Sequence, residues 1–485
     1  MTTIINIIGI VFIINTILAV LTVFKEKREI SATWAWLLVL NLLPGLGFII
    51  YLFLGRKISQ DQIFDLKTQK LIGISQVVDR QKEYLEKDTL TFPPAIDSDE
   101  TYELIQLILN KGDAPITSHN DVQIYNDGRD KFEQLIKDIY TAEDHVHIMY
   151  YIFRDDRLGS RIIRALEEKA SQGVEVCLMF DSLGSRGVRS SSFKRLIDRG
   201  GKVIRSFERK YKIFNTNINF RNHRKMVVID SKIGYVGGFN VGDDYLGEYE
   251  HMGYWRDTHL RLQGESVLAL HARFIMDWNA STKDPDQQLR PREEYFLVHE
   301  CDTHTMVQIL SSGPDSEDQM NKKAFMKMIS QASESIFIQT PYFIPDEGFM
   351  ENLKIAVASG ISVKLMIPNK PDHPFIHQAT LYYARELVKE GARVYIYDHG
   401  FLHAKLMVID GIISTVGTSN FDIRSFKLNF EINAYLYNHE LSGQLVDDFN
   451  RDIEVSYELT EERIAEFSKW QLFKQAFSRL LSPLL

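Results

Sequence analysis

Apolar and polar positions alternate in short blocks along most of this chain, and the blocks predict strands and helices that follow one another. Apolar runs bounded by glycine and polar residues are typical of buried strands, whereas apolar residues repeated every three or four positions are typical of helices. In the first half, strands are predicted at 145–153, 174–180 and 202–207, and helices at 161–170 and 193–198. This alternation favours an α/β unit.

The second half of the chain repeats this order. Strands are predicted at 335–338, 361–367 and 393–397, and helices at 349–358 and 382–389. Glycines occupy matching helix-to-strand joints in the two halves, Gly173 with Gly360 and Gly200 with Gly391. The predicted fold class is therefore α/β, with two similar units related by approximate two-fold symmetry and a shared site at their interface.

Two apolar stretches of 21 residues each begin the chain, at 4–24 and 34–54. At about 1.5 Å of rise per residue, a helix of that length crosses a hydrocarbon core about 30 Å thick. Aromatic rings, which favour the membrane interface, lie near the ends of the second stretch. Polar or helix-breaking residues interrupt the stretches at Asn6, Asn15, Asn41 and Pro44. The interpretation is a transmembrane hairpin anchor formed by residues 1–57.

A cleaved signal peptide is the alternative for the first stretch, but no basic segment precedes it and a second apolar stretch follows. The orientation of such a hairpin depends on the basic residues beside it. Three lie in the connecting loop and four follow the second stretch, namely Lys25, Lys27 and Arg28 against Arg56, Lys57, Lys67 and Lys70. This excess favours a multi-pass protein with both ends, and the catalytic part, on the cytoplasmic side.

Three further segments follow this anchor. Residues 58–117 are predicted as a helical linker region, residues 118–300 as the first α/β unit and residues 301–485 as the second. Near the C-terminus, apolar residues recur every three or four positions with basic residues between them, at Ile464, Phe467, Trp470, Phe473, Phe477 and Leu480. This spacing fits a helix in a membrane interface and, equally, a helix packed against the catalytic core.

Composition narrows the class of protein. With 485 residues, 45% of them hydrophobic, the chain is long enough for two or more domain-sized units with ordered cores. A net charge of −9 argues against a protein that holds nucleic acid through a broad basic surface, although a local basic site stays open. Cys177 and Cys301 form no disulfide framework or zinc motif, which favours a reducing compartment.

One short phrase occurs twice, 180 residues apart. Each copy has a histidine, a lysine two positions later and an aspartate five positions after that, then six residues and a glycine-led cluster that ends in asparagine. The first copy comprises His223, Lys225, Asp230 and Asn240, and the second comprises His403, Lys405, Asp410 and Asn420. Five positions repeated in step are too many for chance, so each half is expected to supply one half of a shared active centre.

These residue types suit a phosphodiester. Two lysines and two asparagine amides stabilise negative charge on the non-bridging oxygens during a displacement. One imidazole attacks phosphorus and the other protonates the leaving oxygen, since a histidine with an ordinary pKa of about 6.5 serves either duty near neutral pH. The lysine pair neutralises the charge, so neither a metal nor a cofactor is expected. Each motif is predicted to be a hairpin with a polar tip, and the two tips are predicted to meet.

A nucleophilic histidine needs an acceptor on its second ring nitrogen. Two acids downstream of the motifs are candidates for orienting the histidines, Asp257 after the first copy and Glu431 after the second, with a solvated strand-end acid as the alternative. The motif aspartates, Asp230 and Asp410, belong to the repeated phrase but fall at the predicted hairpin turns. They are expected to brace the hairpins rather than to contact phosphate.

At this point the chain resembles the phospholipase D superfamily, whose members carry two such HKD motifs, and within it the bacterial cardiolipin synthases. The resemblance extends beyond the motifs to the phrases at 237–243, 255–258, 339–345 and 401–405, to the two apolar stretches and to the ending Leu481–Leu485. The second cluster has Thr418 where serine is common, and the first has Gly238, which offers no hydroxyl. The resemblance implies two phospholipase D-like α/β/α units.

The resemblance also implies an activity. Two phosphatidylglycerol molecules would be joined to give cardiolipin and glycerol through a phosphatidyl-histidine, with His223 as nucleophile by superfamily analogy and His403 as acid and base. The expected partners are phosphatidylglycerol and other anionic lipids of a bacterial inner membrane, and nucleic acid is not expected. Acceptor choice, acyl-chain preference and oligomeric state lie beyond the sequence.

Three other functions are compatible with these residues. A phospholipase D has the same first half-reaction but releases phosphatidic acid to water, and water exclusion is not readable from sequence. A membrane-tethered phosphodiesterase or nuclease uses the same motifs, although the acidic net charge disfavours it. A non-catalytic scaffold is disfavoured because both motifs are intact.

Two other histidine pairs have plainer interpretations. His373 and His377 are four positions apart, but no nearby acid completes a set of metal ligands, so a loop or surface position is favoured. His145 and His147 alternate in a predicted strand and are interpreted as core or surface residues. Neither pair is assigned to the site.

Overall fold

The structure is a computed structural model, and it describes residues 9, 12–21, 30–43, 45–51, 74–87, 98–207, 219–249, 251–282, 284–299, 301–316 and 318–482. Two twisted sheets dominate it. The strands are β1 Ile116–Thr117, β2 Asn120–Tyr125, β3 His145–Tyr150, β4 Glu175–Asp181, β5 Lys202–Ser206, β6 Arg221–Asn222, β7 Met226–Ile229, β8 Ile233–Gly237, β9 Trp255–Arg256, β10 His259–Gly264, β11 Met306–Ser312, β12 Ser335–Gln339, β13 Phe343–Ile344, β14 Ser362–Pro368, β15 Arg393–Tyr397, β16 Phe401–Leu402, β17 Leu406–Ile409, β18 Ile413–Gly417, β19 Phe421–Asp422, β20 Asn429–Tyr437 and β21 Ser456–Glu458.

The two sheets share one strand order. The first runs β2-β10-β8-β7-β3-β4-β5, and the second contains β11-β20-β18-β17-β12-β14-β15 with β1 and β21 added at its edges. Strands β3, β4 and β5 are parallel, as are β12, β14 and β15, and in each sheet the motif hairpin is antiparallel to its neighbours. The predicted α/β class and the predicted repeat of two similar units are confirmed.

Helices connect the strands and cover the sheets. They are α1 Ile30–Leu42, α2 Leu46–Ile50, α3 Ile74–Glu86, α4 Asp99–Gly112, α5 Gly128–Thr141, α6 Arg157–Ser171, α7 Lys194–Asp198, α8 Ser266–Ser281, α9 Met320–Gln331, α10 Glu347–Ala358, α11 Pro374–Lys389, α12 Ile423–Lys427, α13 His439–Glu454, α14 Glu461–Ala465 and α15 Lys469–Leu480. Equivalent helices begin alike in the two units, because Asp156 and Asp346 each cap the first turn through a carboxylate oxygen that accepts a backbone N–H.

Three apolar clusters hold the layers together. One lies on the outer side of the first sheet beneath α5 and α6, and another lies on the outer side of the second sheet beneath α9, α10 and α11. The third joins the facing sides of both sheets with helices α8 and α13. Met226 and Val228 of the first unit belong to this third cluster together with Leu406 and Val408 of the second. The two units therefore share one continuous core, which fixes the motif hairpins relative to each other.

The region before the first unit packs against the second. Helix α4 buries Leu104, Ile105 and Ile108 in the outer core of the second sheet, and β1 pairs with β11 of that sheet. Helix α3 is attached through Gln81, whose amide group donates to the carbonyl of Ile116 and accepts from its N–H. Residues 99–117 therefore extend the second unit, although they precede the first in the chain.

The apolar N-terminal residues form helical segments that contact each other. Within residues 12–21, Asn15 donates to the carbonyl of Leu40, and the Thr16 hydroxyl donates to the Asn41 side chain. The second apolar stretch is divided between α1 and α2, with a left-handed backbone at Gly45. No helix in the part of the chain that the structure describes is both long enough and apolar enough to cross a bilayer. Residues 4–8, 10–11 and 22–24 of the predicted first span lie outside the residues that the structure describes, as do the basic residues at 25–28 and 56–70.

The C-terminal helix α15 has two different faces. One face packs on α11, where the Arg385 guanidinium donates to Gln475 and the Tyr383 hydroxyl donates to Ser482. The other face carries exposed rings, with Trp470 65% and Phe473 57% exposed. The predicted packing against the catalytic core is therefore confirmed for one face of the helix, whereas the predicted membrane interface stays a prediction for the exposed aromatic face.

Candidate active site

The two motifs occupy equivalent positions in the two sheets. Strands β7 and β8 form one hairpin and β17 and β18 form the other, as predicted. Each motif histidine and lysine immediately precedes the first strand of its hairpin, and each asparagine follows the second. The polar groups therefore lie at the open end of the hairpin, opposite the turn. The prediction of a polar hairpin tip was wrong on this point, because the strands separate the histidine end from the turn.

The motif aspartates, Asp230 and Asp410, lie at the turns of the two hairpins. Asp230 and Asp410 have left-handed backbones, with φ of 51° and 52°. The Asp230 carboxylate accepts the backbone N–H groups of residues 143, 144 and 145 at 2.8–2.9 Å, and Asp410 does the same for residues 333, 334 and 335 at 2.8 Å. Each aspartate thus ties its turn to the start of the neighbouring strand, which is a bracing contact far from the histidine.

Short strands that cross between the units bring each histidine to an acid. Strand β6, just before His223, pairs in parallel with the start of β20, and β16, just before His403, pairs in parallel with β9. The register places Asn222 opposite Phe430 and Leu402 opposite Arg256. The next residues on each strand are a histidine and an acid. Backbone bonds continue the pairing, from His223 N–H to Phe430 and from His403 N–H to Arg256.

His223 is held by Glu431. Both carboxylate oxygens lie 2.9 Å from His223 Nδ1. The carboxylate is completely buried and also accepts the Thr418 hydroxyl at 2.6 Å and the Asn429 amide at 3.2 Å. A carboxylate with these donors stays ionised, so it holds the proton on Nδ1 and leaves Nε2 with the lone pair that a nucleophile needs.

His403 is held by Asp257 at 2.6 Å from Nδ1 to Oδ2. The other carboxylate oxygen accepts the backbone N–H of Thr258 at 2.8 Å. A side chain at Gly238 has no room, because a Cβ there would lie 1.9 Å from Asp257 Oδ1. This explains why the first copy lacks the hydroxyl that Thr418 provides in the second. The acid itself fills that space, and a backbone amide replaces the hydroxyl donor.

The two lysines are buried beside the histidines. Lys225 Nζ donates to the carbonyl of His223 at 2.7 Å, and Lys405 makes the equivalent bond to His403. Burial lowers the pKa of Lys225 to about 7, although Glu431 opposes the shift, and it lowers the pKa of Lys405 to about 8 against the pull of Asp257. Each lysine senses the acid of both half-sites, which shows that the two halves form a single electrostatic centre.

Burial also moves the pKa values of the two motif histidines away from the ordinary value of about 6.5. The pKa of His223 is lowered to about 4 by burial, with Glu431 opposing and Lys225 adding to the shift. The pKa of His403 is likewise lowered to about 4 by burial, with Lys405 adding to the shift and Asp257 opposing it. Both imidazoles are therefore neutral in the free site at pH 7. A bound phosphate anion favours the protonated forms and raises these pKa values.

The site therefore predicts a specific pH profile. The value of kcat/KM is expected to fall below about pH 4, as His223 gains a proton, and to decline gradually above it, as the protonated fraction of His403 decreases. It is expected to fall more steeply between about pH 7 and 8, as the lysines lose their protons. In kcat, both limits shift to higher pH because the bound anion stabilises every protonated group. Initial rates in mixed micelles at constant ionic strength measure both profiles.

A matched variant assigns the alkaline limit. Lys225→Arg retains a positive charge above pH 8, so the alkaline fall in kcat/KM is expected to move to higher pH while the acidic limit stays. An unchanged alkaline limit in that variant would remove Lys225 from the assignment.

The two asparagines are also at the open ends of the hairpins. The carbonyl oxygen of Asn240 accepts the N–H of Ile152 at 3.0 Å, which directs its amide nitrogen away from that strand. The side-chain oxygen of Asn420 is buried and makes no hydrogen bond within the described part of the chain. The backbone N–H of Asn420 donates to Ser425. The structure thus brings all eight predicted histidine, lysine, asparagine and orienting acid residues to one end of the two hairpins.

Sequence reasoning missed the aromatic walls of the site. The Tyr151 ring meets His223 edge-on with 4.9 Å between ring centroids, and Lys225 lies 5.5 Å from the same ring. Trp255 lies 5.3 Å from His403. Tyr151 lies within the predicted strand 145–153, one residue after β3 ends in the structure, and Trp255 lies two residues before Asp257. The closeness of Trp255 to a predicted site residue was the available signal. Each ring covers one side of an imidazole.

Arg224, between His223 and Lys225, makes the two half-sites different. Its guanidinium is buried and donates to Asp277 at 2.6 Å, to the carbonyl of Glu431 and to the Ser311 hydroxyl. The equivalent residue of the second motif is Ala404, which is also buried. Arg224 therefore ties the first motif to helix α8 and to two strands of the second unit.

Removing its partner is expected to destabilise the fold. Asp277→Ala removes the carboxylate that is hydrogen-bonded to the buried Arg224 guanidinium, so the free energy of unfolding is expected to fall by roughly 3–5 kcal/mol. Thermal and denaturant unfolding of the purified protein in detergent measures the change. Glu133→Ala is the matched control, because it breaks an exposed pair with Arg161 and should change stability by less than about 1 kcal/mol. Equal effects of the two substitutions would contradict the expectation.

Comparison with known proteins agrees with this arrangement. Residues 135–278 and 325–453 match the family described as cardiolipin synthase, PLD-like domain, and residues 4–56 match the phospholipase D-nuclease N-terminal family. A cardiolipin synthase of Listeria welshimeri is 48% identical over 476 residues, with 98% of each chain covered. The major cardiolipin synthase of Bacillus subtilis is 47% identical over 474 residues, again with 98% of each chain covered.

The fold also has a solved relative. The phosphatidylserine synthase of Haemophilus influenzae aligns with a TM-score of 0.61 at 14% identity, covering 79% of this chain and all of the other. Two HKD half-sites on paired α/β units define a phospholipase D-like protein. Within that class, the chain belongs to the cardiolipin synthase family of phosphatidyltransferases.

Proposed function

We propose that this chain transfers a phosphatidyl group between two phosphatidylglycerol molecules, giving cardiolipin and glycerol. The observation that carries the proposal is the pair of buried histidines, each with its Nδ1 held by a buried acid and each beside a buried lysine. A phosphodiester placed between them meets a neutral nucleophile on one side and a proton carrier on the other. Family membership supports the choice of lipid.

The first step uses His223 as the nucleophile. Its Nε2 attacks phosphorus while the bond to the glycerol oxygen breaks, and His403 delivers a proton to that oxygen. Glycerol leaves, and the phosphatidyl group is bonded to His223. Glu431 stabilises the imidazolium that forms, while Lys225, Lys405 and the amides of Asn240 and Asn420 neutralise the non-bridging oxygens.

In the second step His403 acts as a base and the bond between phosphorus and His223 breaks. His403, now neutral, takes the proton of a glycerol hydroxyl on a second phosphatidylglycerol, and the resulting oxygen attacks phosphorus. The bond to His223 breaks, and cardiolipin leaves with the free enzyme restored. Asp257 holds the Nδ1 proton of His403 throughout, so the same ring nitrogen serves as acid and then as base.

The test is product identification. Purified protein is incubated with phosphatidylglycerol vesicles and the lipids are analysed by mass spectrometry, with glycerol quantified in the same samples. Cardiolipin and glycerol in equal amounts support the transferase. Phosphatidic acid as the main product would show a phospholipase D, and cleavage of DNA without lipid turnover would show a nuclease. The aromatic walls formed by Tyr151 and Trp255 favour transfer over hydrolysis, because they reduce access of water to the intermediate.

We further propose that residues 1–57 anchor the enzyme in the bacterial inner membrane as a multi-pass hairpin, with the catalytic units on the cytoplasmic side. The match of residues 4–56 to an N-terminal family supports an independent segment. Asn15 and Asn41, which interrupt the apolar stretches, have hydrogen-bonded side chains between the two segments, as polar groups in membrane helices require. Resistance to alkaline extraction and cysteine accessibility from either side test the anchor and its orientation.

The aromatic face of α15 gives the catalytic units a second contact with lipid in this proposal. Trp470, Phe473, Phe477 and Leu480 are 46–72% exposed, and the first two rings stack at 5.4 Å. Lys469 precedes these residues, and Lys474 and Arg479 lie between them on the same helix, which suits an anionic headgroup layer. An interfacial helix here would hold the site near lipid headgroups.

Replacing these rings is expected to weaken the use of vesicles. In Trp470→Ser/Phe473→Ser, the apparent KM for phosphatidylglycerol in vesicles should rise by roughly tenfold or more, because about 1.5–3 kcal/mol of burial is lost for a buried ring. The kcat value on monomeric short-chain phosphatidylglycerol should stay unchanged. Ile197→Ser, at another exposed apolar position, is the control. Equal KM values in the wild type and the double variant would reject the interfacial role.

A further inference from the structure

Three histidines meet in the core of the first unit, away from the active site. His145 and His147 come from β3 and His271 comes from α8, and all three are completely buried. His147 Nδ1 lies 2.9 Å from His271 Nε2, and one nitrogen from each ring falls within 4.8 Å of the others. The cluster is at the end of β3 that adjoins the Asp230 turn, so strand β7 separates it from the motif histidine by roughly 13 Å of extended chain.

Each imidazole already has an outward partner that only accepts hydrogen bonds. His145 Nδ1 faces the Asp144 carboxylate at 2.7 Å, and His147 Nε2 faces Glu175 at 3.2 Å. His271 Nδ1 faces the backbone carbonyl of Tyr295 at 3.0 Å. Glu175 also accepts the Tyr295 hydroxyl and lies 4.0 Å from Lys202. Arg292 binds Asp144 through two bonds.

The inward ring nitrogens converge on one small space. His147 Nδ1 and His271 Nε2 face each other at 2.9 Å, and one nitrogen of His145 lies within 4.8 Å of both. The Ser231 hydroxyl adjoins the same space, 2.8 Å from His271 Nδ1, 2.8 Å from the carbonyl of Tyr295 and 3.3 Å from His145 Nε2.

We propose that this cluster is a structural binding site for a divalent first-row transition metal ion of the zinc type, held by His147 Nδ1, His271 Nε2 and His145 Nε2. Imidazole nitrogens suit zinc, nickel and copper ions, and metal-binding histidines characteristically donate their second N–H to a carboxylate or a backbone carbonyl. All three histidines have that second contact here. The role is structural because the cluster is closed to solvent and joins α8 to the first sheet.

A hydrogen bond is the alternative for the 2.9 Å contact, with a proton on either His147 Nδ1 or His271 Nε2. In the metal-bound form both inward nitrogens are lone-pair donors to the metal ion. The Asp144 and Glu175 side chains behind the ligands then accept the outward N–H groups and raise the basicity of the ligands.

The experiment measures metal content directly. The full chain, purified in detergent with an affinity tag that contains no histidine, is stripped with EDTA and then dialysed against buffered Zn²⁺. Bound metal is counted by mass spectrometry, and Co²⁺ is substituted for its visible absorption. About one Zn²⁺ per chain is expected, with a rise in the midpoint of thermal unfolding over the stripped protein.

Three variants separate a built site from surface binding. His147→Gln and His271→Gln are each expected to weaken Zn²⁺ binding at least about tenfold, and Glu175→Gln, which keeps all three imidazoles, by about 10- to 100-fold. His119→Gln removes a half-exposed histidine and should bind Zn²⁺ like the wild type. Unfolding of the stripped proteins shows whether each variant folds without metal.

The decisive comparison is between the wild type and the two cluster variants. Equal Zn²⁺ content in all of them, or no Zn²⁺ in the wild type, would overturn the proposal and leave a hydrogen bond between His147 and His271 as the contact. Cardiolipin formation is measured in the same samples, but it does not decide the question, because the cluster contributes no group to the phosphate site.

Discussion

Replacing His223 by alanine is expected to abolish cardiolipin formation, with a fall in kcat on the order of 10⁴-fold or more, because no other group is placed to carry the phosphatidyl intermediate. His403→Ala is expected to lose about 10²- to 10⁴-fold, the usual contribution of a positioned acid and base. The expected difference in size follows from the roles: a missing nucleophile removes the pathway, whereas a missing proton carrier slows both of its steps.

The two variants also differ in what accumulates. His403→Ala retains the nucleophile, so a brief reaction with labelled phosphatidylglycerol is expected to leave a phosphatidyl group on His223, detectable by acid-free digestion and peptide mass spectrometry. His223→Ala should show no covalent lipid. His119→Gln, with an exposed histidine replaced, is the control for both. A phosphatidyl group on His403 in the His223 variant would reverse the assignment of the two roles.

Removing the charge of either orienting acid is expected to have the second largest effect. Glu431→Gln and Asp257→Asn keep the shape of the side chain, but the new amide can offer an N–H to Nδ1 and so favour the wrong tautomer. A fall in kcat of up to about 10⁴-fold is expected for each, the size known for an equivalent change in a serine protease triad. The midpoint of thermal unfolding should change little, because the size and the burial of each side chain are preserved.

The contacts predict which step each acid controls. Glu431 holds His223, so Glu431→Gln should slow formation of the covalent intermediate. Asp257 holds His403, so Asp257→Asn should slow proton transfer in both steps and allow some intermediate to accumulate. Asp448→Asn, a buried acid on α13 that does not contact either histidine, is the matched control. If Glu431→Gln accumulated the covalent intermediate and Asp257→Asn did not, the pairing of Glu431 with His223 and of Asp257 with His403 would not govern the chemistry.

Much of the fold could be predicted from local patterns. The predicted strands of both halves match β3, β4, β5, β12, β14 and β15 within a few residues, because short apolar runs between glycines have few alternatives. The placement of Asp230 and Asp410 at turns was also predictable, since an aspartate after a buried strand and before a second one tolerates the left-handed backbone that a tight turn needs.

The site could be predicted only in part. Asp257 and Glu431 were identified as acids that orient histidines, but each follows one motif in sequence and contacts the histidine of the other. That crossing depends on the parallel pairing of β6 with the start of β20 and of β9 with β16. Strands β6, β9 and β16 have two residues each, too few for a periodic signal. The ring of His271 joins His147 across 124 residues for the same reason. Contacts between distant segments are set by how the sheets stack, which no local pattern records.

Crossed pairing has a consequence for how this molecule can change over generations. Neither half contains a complete pair of histidine and orienting acid, because each motif histidine contacts a carboxylate that follows the other motif. A mutation that shifts the register of β6 or β16 separates a histidine from a carboxylate more than 100 positions away. The two halves therefore depend on each other, because neither can orient its histidine without the other.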